Sequence, residues 1–124
     1  MSKIDKVNKL LEELEEKSSD IIGTAVIRTN GLIVASALPN EANERMIAAM
    51  SAALLGTSKR SAEALFNGSF RSLNLEIDKG NMFLMSAGRV ILAAITKKEP
   101  NIGLISLEME VTSDKLSELF KLED

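Results

Sequence analysis

The chain has 124 residues, 18 acidic against 15 basic, for a formal net charge of −3, and residues 1–124 fit one domain of the usual ~100–200 residues. Hydrophobic residues at 45% and charged residues at 27% match a soluble globular protein and exclude a disordered one. Cysteine and histidine are absent, which excludes disulfides, thiolate or imidazole metal centres and histidine-based acid–base relays.

Residues 3–17 place Ile4, Val7, Leu10, Leu11 and Leu14 at three- and four-residue steps with Lys and Glu between them. That spacing predicts an amphipathic helix with a solvated charged face. Residues 21–28 are rich in β-branched side chains, and a second apolar run covers 32–37. Asn30-Gly31 between them predicts a hairpin, because both residues tolerate positive φ. Both strands are apolar at nearly every position, which predicts cover on both faces. Pro39-Asn40 ends the hairpin, and Asn40 is the expected cap of a helix over 41–65, stopped near Asn67-Gly68.

Three more strands are expected at 71–78, 81–87 and 90–96, punctuated by Asp78-Lys79-Gly80 and Gly88-Arg89. Met82, Phe83, Leu84 and Met85 are expected to fill the core. After Lys97-Lys98-Glu99-Pro100, Asn101 can cap a last helix carrying Ile102, Ile105, Met109, Leu116, Leu119 and Phe120, with Thr112-Ser113 as a point of bending. Connections this short force antiparallel pairing. The expected fold is α+β: a five-stranded antiparallel sheet with helices on both faces, in the order α-β-β-α-β-β-β-α. The third strand alternates Leu73, Leu75 and Ile77 with Ser72, Asn74 and Glu76. It belongs at an edge, where its backbone can recruit a partner strand.

The second helix is the most informative element. At 100° per residue, Ile47, Met50, Leu54 and Leu65 fall within about one-sixth of a turn, and that stripe is expected to pack on the chain's own sheet. The opposite side holds Ala49, Ala52, Ala53, Gly56 and Arg60. A row of small residues there allows close approach of another helix, whereas a solvated face would carry Lys, Glu and Gln. With Leu73 and Leu75 on the edge strand, these residues form a candidate two-fold dimer interface. The bland reading is that alanine is the best helix former and Gly56 marks a kink.

Taken together, Asn30–Ser36 (Asn-Gly-Leu-Ile-Val-Ala-Ser), Ala48–Leu54 (Ala-Ala-Met-Ser-Ala-Ala-Leu), Gly68, Lys79-Gly80, Gly88 with the strand after it, and Asn101-Ile102-Gly103-Leu104-Ile105 resemble the Roadblock/dynein-light-chain family over nearly the whole chain. The resemblance implies a profilin- and longin-like fold. It also implies a homodimer, or a heterodimer with a paralogue, through the second helix and third strand. The implied partner is a small Ras-like GTPase, which such proteins scaffold, activate or co-regulate; other members are dynein light chains. The family has no universal catalytic signature, so no active-site residue is carried over.

The chemistry left to the chain is sparse. Gly56-Thr57-Ser58-Lys59-Arg60-Ser61 lacks the second glycine of a phosphate-binding loop and lies within a predicted helix. Arg28, Arg45, Arg60, Arg71 and Arg89 are candidates for an arginine acting in trans on a GTPase, with none singled out; pairing of Arg60 with Glu63 or an acid across the dimer is the more ordinary role. Glu12-Glu13 and Glu15-Glu16 diverge on their helix and do not build a cation site. No catalytic residue, cofactor or metal is assigned. The acidic balance and the four aromatics, all Phe, argue against nucleic acid as a partner. The most apolar run, 46–55, is half the ~20 residues of a membrane span, so a cytoplasmic, non-enzymatic interaction module is expected. A structural light-chain-like subunit and a small-ligand sensor are the alternatives.

Overall fold

The computed structural model describes residues 1–39 and 42–121. In chain order the elements are α1 (Lys3–Lys17), β1 (Ile21–Arg28), β2 (Ile33–Ala37), α2 (Glu44–Phe66), β3 (Ser72–Ile77), β4 (Gly80–Ala87), β5 (Val90–Thr96) and α3 (Ile102–Phe120). The five strands form one antiparallel sheet with β3 at an edge, as expected, and their order is β2-β1-β5-β4-β3.

Local chemistry sets the boundaries. Ser2 and Asp5 close a reciprocal cap on α1, with the Asp5 N–H donating to Ser2 Oγ at 3.1 Å and the Ser2 N–H to Asp5 Oδ2 at 3.2 Å. Asn101 caps α3 as expected, accepting the Leu104 N–H at 3.1 Å. Asn43 caps α2, accepting the Met46 N–H at 3.1 Å; the expected cap at Asn40 lies outside the described residues. Asn67 ends α2 in the left-handed region (φ 50°), with the Gly68 N–H reaching back to the Ala62 carbonyl. The β1–β2 hairpin departs from the expected two-residue turn. Gly31 alone has positive φ (+93°), and the Arg28 N–H bonds the Leu32 carbonyl across a three-residue loop.

Helices α1 and α3 cover one face, where Val7, Leu11 and Leu14 pack with Val26, Leu92, Met109 and Phe120. Lys3 Nζ and the Arg28 guanidinium both lie over the Phe120 ring, at 4.8 and 5.6 Å. Helix α2 covers the other face, where Ala48 and Leu55 meet Ala25, Ile27, Leu84, Ile91 and Ala93. Strand β1 is almost wholly buried, but β2 is not. As an edge strand it buries only Ala35 fully, yet both its faces are covered as expected, Val34 and Ala35 by the α1–α3 layer and Ile33 by the α2 layer. Met82, Phe83 and Leu84 are buried and Met85 half-buried. Helix α3 is unbroken at Thr112-Ser113: the Thr112 hydroxyl donates to the Glu108 carbonyl at 3.1 Å within the helix.

Candidate interaction surface

Helix α2 corrects the expectation for its buried side. The residues that meet the sheet are Ala48, Ser51 and Leu55, roughly a quarter-turn from the predicted stripe. Small residues there bring the helix close to Ala25 and Ala93. Ser51 is buried without penalty because its hydroxyl donates to the Ile47 carbonyl at 2.7 Å. The predicted stripe forms one flank of that side, with Ile47 and Leu54 still packed against the sheet cluster and Met50 and Leu65 turned away from it. Ile47 and Leu54 are half-buried, Met50 is 46% exposed, and Leu65 stands out in solvent.

That flank overlooks β4 and β3. Ile47 and Met50 join Ile22, Ile77, Met82 and Ile95 around an apolar groove of about 290 Å³, with Lys79 at its rim. Beside it runs β3, bonded only to β4 among the described strands, so its outer N–H and C=O groups face outward. Leu73 is half-buried, while Leu75 and Ile77 are 38% and 49% exposed. Along the same strand, Arg71 marks one end and Glu76 and Asp78 the other.

The small-residue side of α2 occupies the opposite flank. The Gly31 Cα hydrogens point at Ala49 and Ala52: a Cβ built at Gly31 would lie 3.8 Å from the Ala52 methyl and 3.9 Å from Ala49 Cα. Small side chains on the helix and glycine in the turn thus let α2 meet its own hairpin. Gly56 lies under Arg60, whose guanidinium donates to Thr57 Oγ1 at 3.4 Å within the subunit; of the two expected pairings, with Glu63 or with an acid across the dimer, the first is not the contact made here. Ala53 and Arg60 are exposed. Ile77 shares the groove with Met50, Leu75 pairs across the sheet with the groove residue Met82, and Leu73 packs against the cluster under α2, whereas Ala49 and Ala52 face Gly31 of the hairpin. Sequence reading missed the groove residues as a group. Gly56–Ser61 sits within α2 and forms no phosphate loop.

A family model, the Roadblock/LC7 domain, matches residues 6–96. The chain belongs to the Roadblock/LC7 family. Relatives include the uncharacterized protein MJ0310 of Methanocaldococcus jannaschii, 31% identical over 92% of this chain and 99% of its own length. Among solved structures, MglB in a tetrameric arrangement superposes on this roadblock domain with a TM-score of 0.89 at 14% identity. Myxococcus xanthus MglB gives 0.88 at 20% identity, and both matches cover 98% of this chain and 92% of the other. At such identities the likeness establishes the shared fold. Among the described residues no helix is long and apolar enough to cross a membrane.

Proposed function

We propose that this roadblock domain is a dimeric, non-enzymatic interaction module of the cytoplasm. In this reading it pairs with itself or a paralogue, and the paired surface binds and regulates a small Ras-like GTPase. The observation that carries the self-association is the apolar strip of Met50, Leu75 and Ile77 left open beside an edge strand with free backbone groups. Such a strip and edge are costly on a monomer and are covered together by one symmetric partner. The tetrameric arrangement of the structurally similar MglB supports self-association, and family membership supports the GTPase. The lack of cysteine and histidine supports a binding role over catalysis and fits a reducing compartment.

The test has two stages. Light scattering at micromolar concentration is expected to give twice the chain mass. Purified Ras-like GTPases from the same genome, loaded with GDP or a GTP analogue, are then presented to the immobilised domain, and one is expected to bind in a nucleotide-dependent manner. A monomer mass removes the dimer. Binding by none of the GTPases removes the regulator, and binding equal in both nucleotide states turns the reading to a structural light-chain-like subunit.

A further inference from the structure

The C-terminal end of α2 carries the most exposed large apolar side chain of the described residues. Phe66 is 82% exposed, with Leu65 beside it at 72%. This end is held in place. The Asn67 and Gly68 N–H groups bond the Glu63 and Ala62 carbonyls at 3.0 and 3.1 Å, locking the chain reversal just after Phe66. An ordered, fully presented phenylalanine is the kind of side chain that anchors interfaces by filling a pocket.

The groove described above has that character, with apolar walls and about 290 Å³ of space. It lies at the other end of the same helix, against Ile47 and Met50. Phe66 lies sixteen residues after Met50 on the helix, about 24 Å at 1.5 Å per residue, so a subunit cannot fill its own groove with its own Phe66.

A second copy can. Ile47 and Met50 near the start of α2 share the groove with Ile77, the last residue of β3, and Phe66 ends the helix six residues before Ser72, the first residue of that strand, so the helix runs from the Ile77 end toward the Ser72 end. A two-fold axis that sets β3 antiparallel to its mate puts the Ser72 end of each strand beside the Ile77 end of the other. One operation then carries each Phe66 to the opposite groove, twice over, as an isologous contact requires. Charge favours the same orientation. Antiparallel strands bring Arg71 of one copy to Glu76 and Asp78 of the other, whereas parallel strands would set like charges side by side.

The geometry points to a reciprocal anchor: Phe66 of each subunit seats in the groove formed by Ile22, Ile47, Met50, Ile77 and Met82 of a second copy of this chain. The anchor rests on the dimer reading above and adds to it which side chain fills which cavity.

Because the natural chain has no cysteine, crosslinking reads this contact cleanly. The variant carrying both Phe66→Cys and Ile77→Cys is oxidised mildly and run on a non-reducing gel, beside a control carrying Phe66→Cys and Leu107→Cys, the latter on the far helical layer. Sedimentation of Phe66→Ala, a change at an exposed position, is measured in parallel. The expected result is a disulfide-linked dimer from the first variant and not from the control, with the dimer Kd of Phe66→Ala raised roughly 30-fold, as for an interface hot spot. A wild-type dimer with no crosslink and an unchanged Phe66→Ala Kd overturns the anchor and leaves the dimer standing. A monomeric wild type overturns both.

Discussion

Asp20 Oδ2 accepts the backbone N–H of Asn101 at 2.8 Å, joining residues 81 apart in sequence. The same carboxylate holds Lys97 Nζ at 3.1 Å through Oδ1, and the Asp20 carbonyl accepts the Lys97 N–H at 3.0 Å. The start of β1 is thereby tied to the end of β5 and to the cap of α3. The Asn101 N–H, followed by the Lys97 ammonium, holds the Asp20 carboxyl below its ordinary value of 3.8. A carboxyl with a depressed folded-state pKa contributes stability above its unfolded value and loses it as pH falls through the folded one. Asp20→Asn is therefore expected to unfold at a lower temperature than wild type at pH 7. The gap should close as pH drops below 3.8, followed by thermal unfolding across an acid titration.

Glu15 gives the opposite slope. Thr24 Oγ1 donates to Glu15 Oε1 at 3.3 Å, but partial burial against β1 outweighs that bond, and Glu12 adds repulsion, so the carboxyl titrates above its ordinary 4.5. The folded state then holds this proton more tightly than the unfolded state. Its contribution is greatest below pH 4.5 and is lost as pH rises through the raised folded value. Glu15→Gln keeps an acceptor for Thr24 and removes the charge. Urea denaturation is expected to show the variant more stable than wild type at pH 7 and equal to it at pH 4. The two carboxyls thus act on separate sides of pH 4, and each is read without interference from the other.

The elements were legible because their signals are local. Lys3–Lys17 follows from apolar spacing alone, Asn101 was visible as a cap before the last helix, and the alternation of Leu73, Leu75 and Ile77 marked an edge strand. The rotation of α2 was not legible. Hydrophobicity alone turns Met50 and Leu54 inward, whereas the buried side carries Ala48 and Ser51 beside Leu55, short side chains that let the helix sit close to Ala25 and Ala93. The groove was hidden for a different reason. Ile22, Met50, Ile77, Met82 and Ile95 come from five separate elements, and no spacing in the chain connects them until the sheet order is known.

Ser113 offers a test of the helical layer. Its hydroxyl is buried against the core and has no partner among the described residues, while the adjacent Thr112 hydroxyl is bonded to the Glu108 carbonyl. An unpartnered buried hydroxyl costs desolvation without return. Ser113→Ala removes that cost and leaves a gap no larger than one oxygen. Stability by urea denaturation is expected to rise by about 0.5–1 kcal/mol, with an unchanged m-value. A loss of more than about 1 kcal/mol would mean the hydroxyl has a bonded partner after all.

The two flanks of α2 make contrary demands on any dimer, and one pair of variants separates them. Met50 lines the groove beside β3, so Met50→Glu places a carboxylate where an apolar partner surface is expected. Burying it unpaired should raise the dimer Kd by about 100-fold or more. Since Met50 is half exposed in the single subunit, its own fold should keep its circular dichroism and melting behaviour. Gly56 lies on the hairpin side, where a Cβ meets only the Arg60 guanidinium at 3.7 Å. Gly56→Leu displaces that flexible side chain, gains helix propensity, and is expected to leave the dimer intact by sedimentation. If Gly56→Leu dissociates the dimer while Met50→Glu does not, the seam runs along Ala49, Ala52 and Gly56, and the edge strand carrying Leu73 and Leu75 has no part in it.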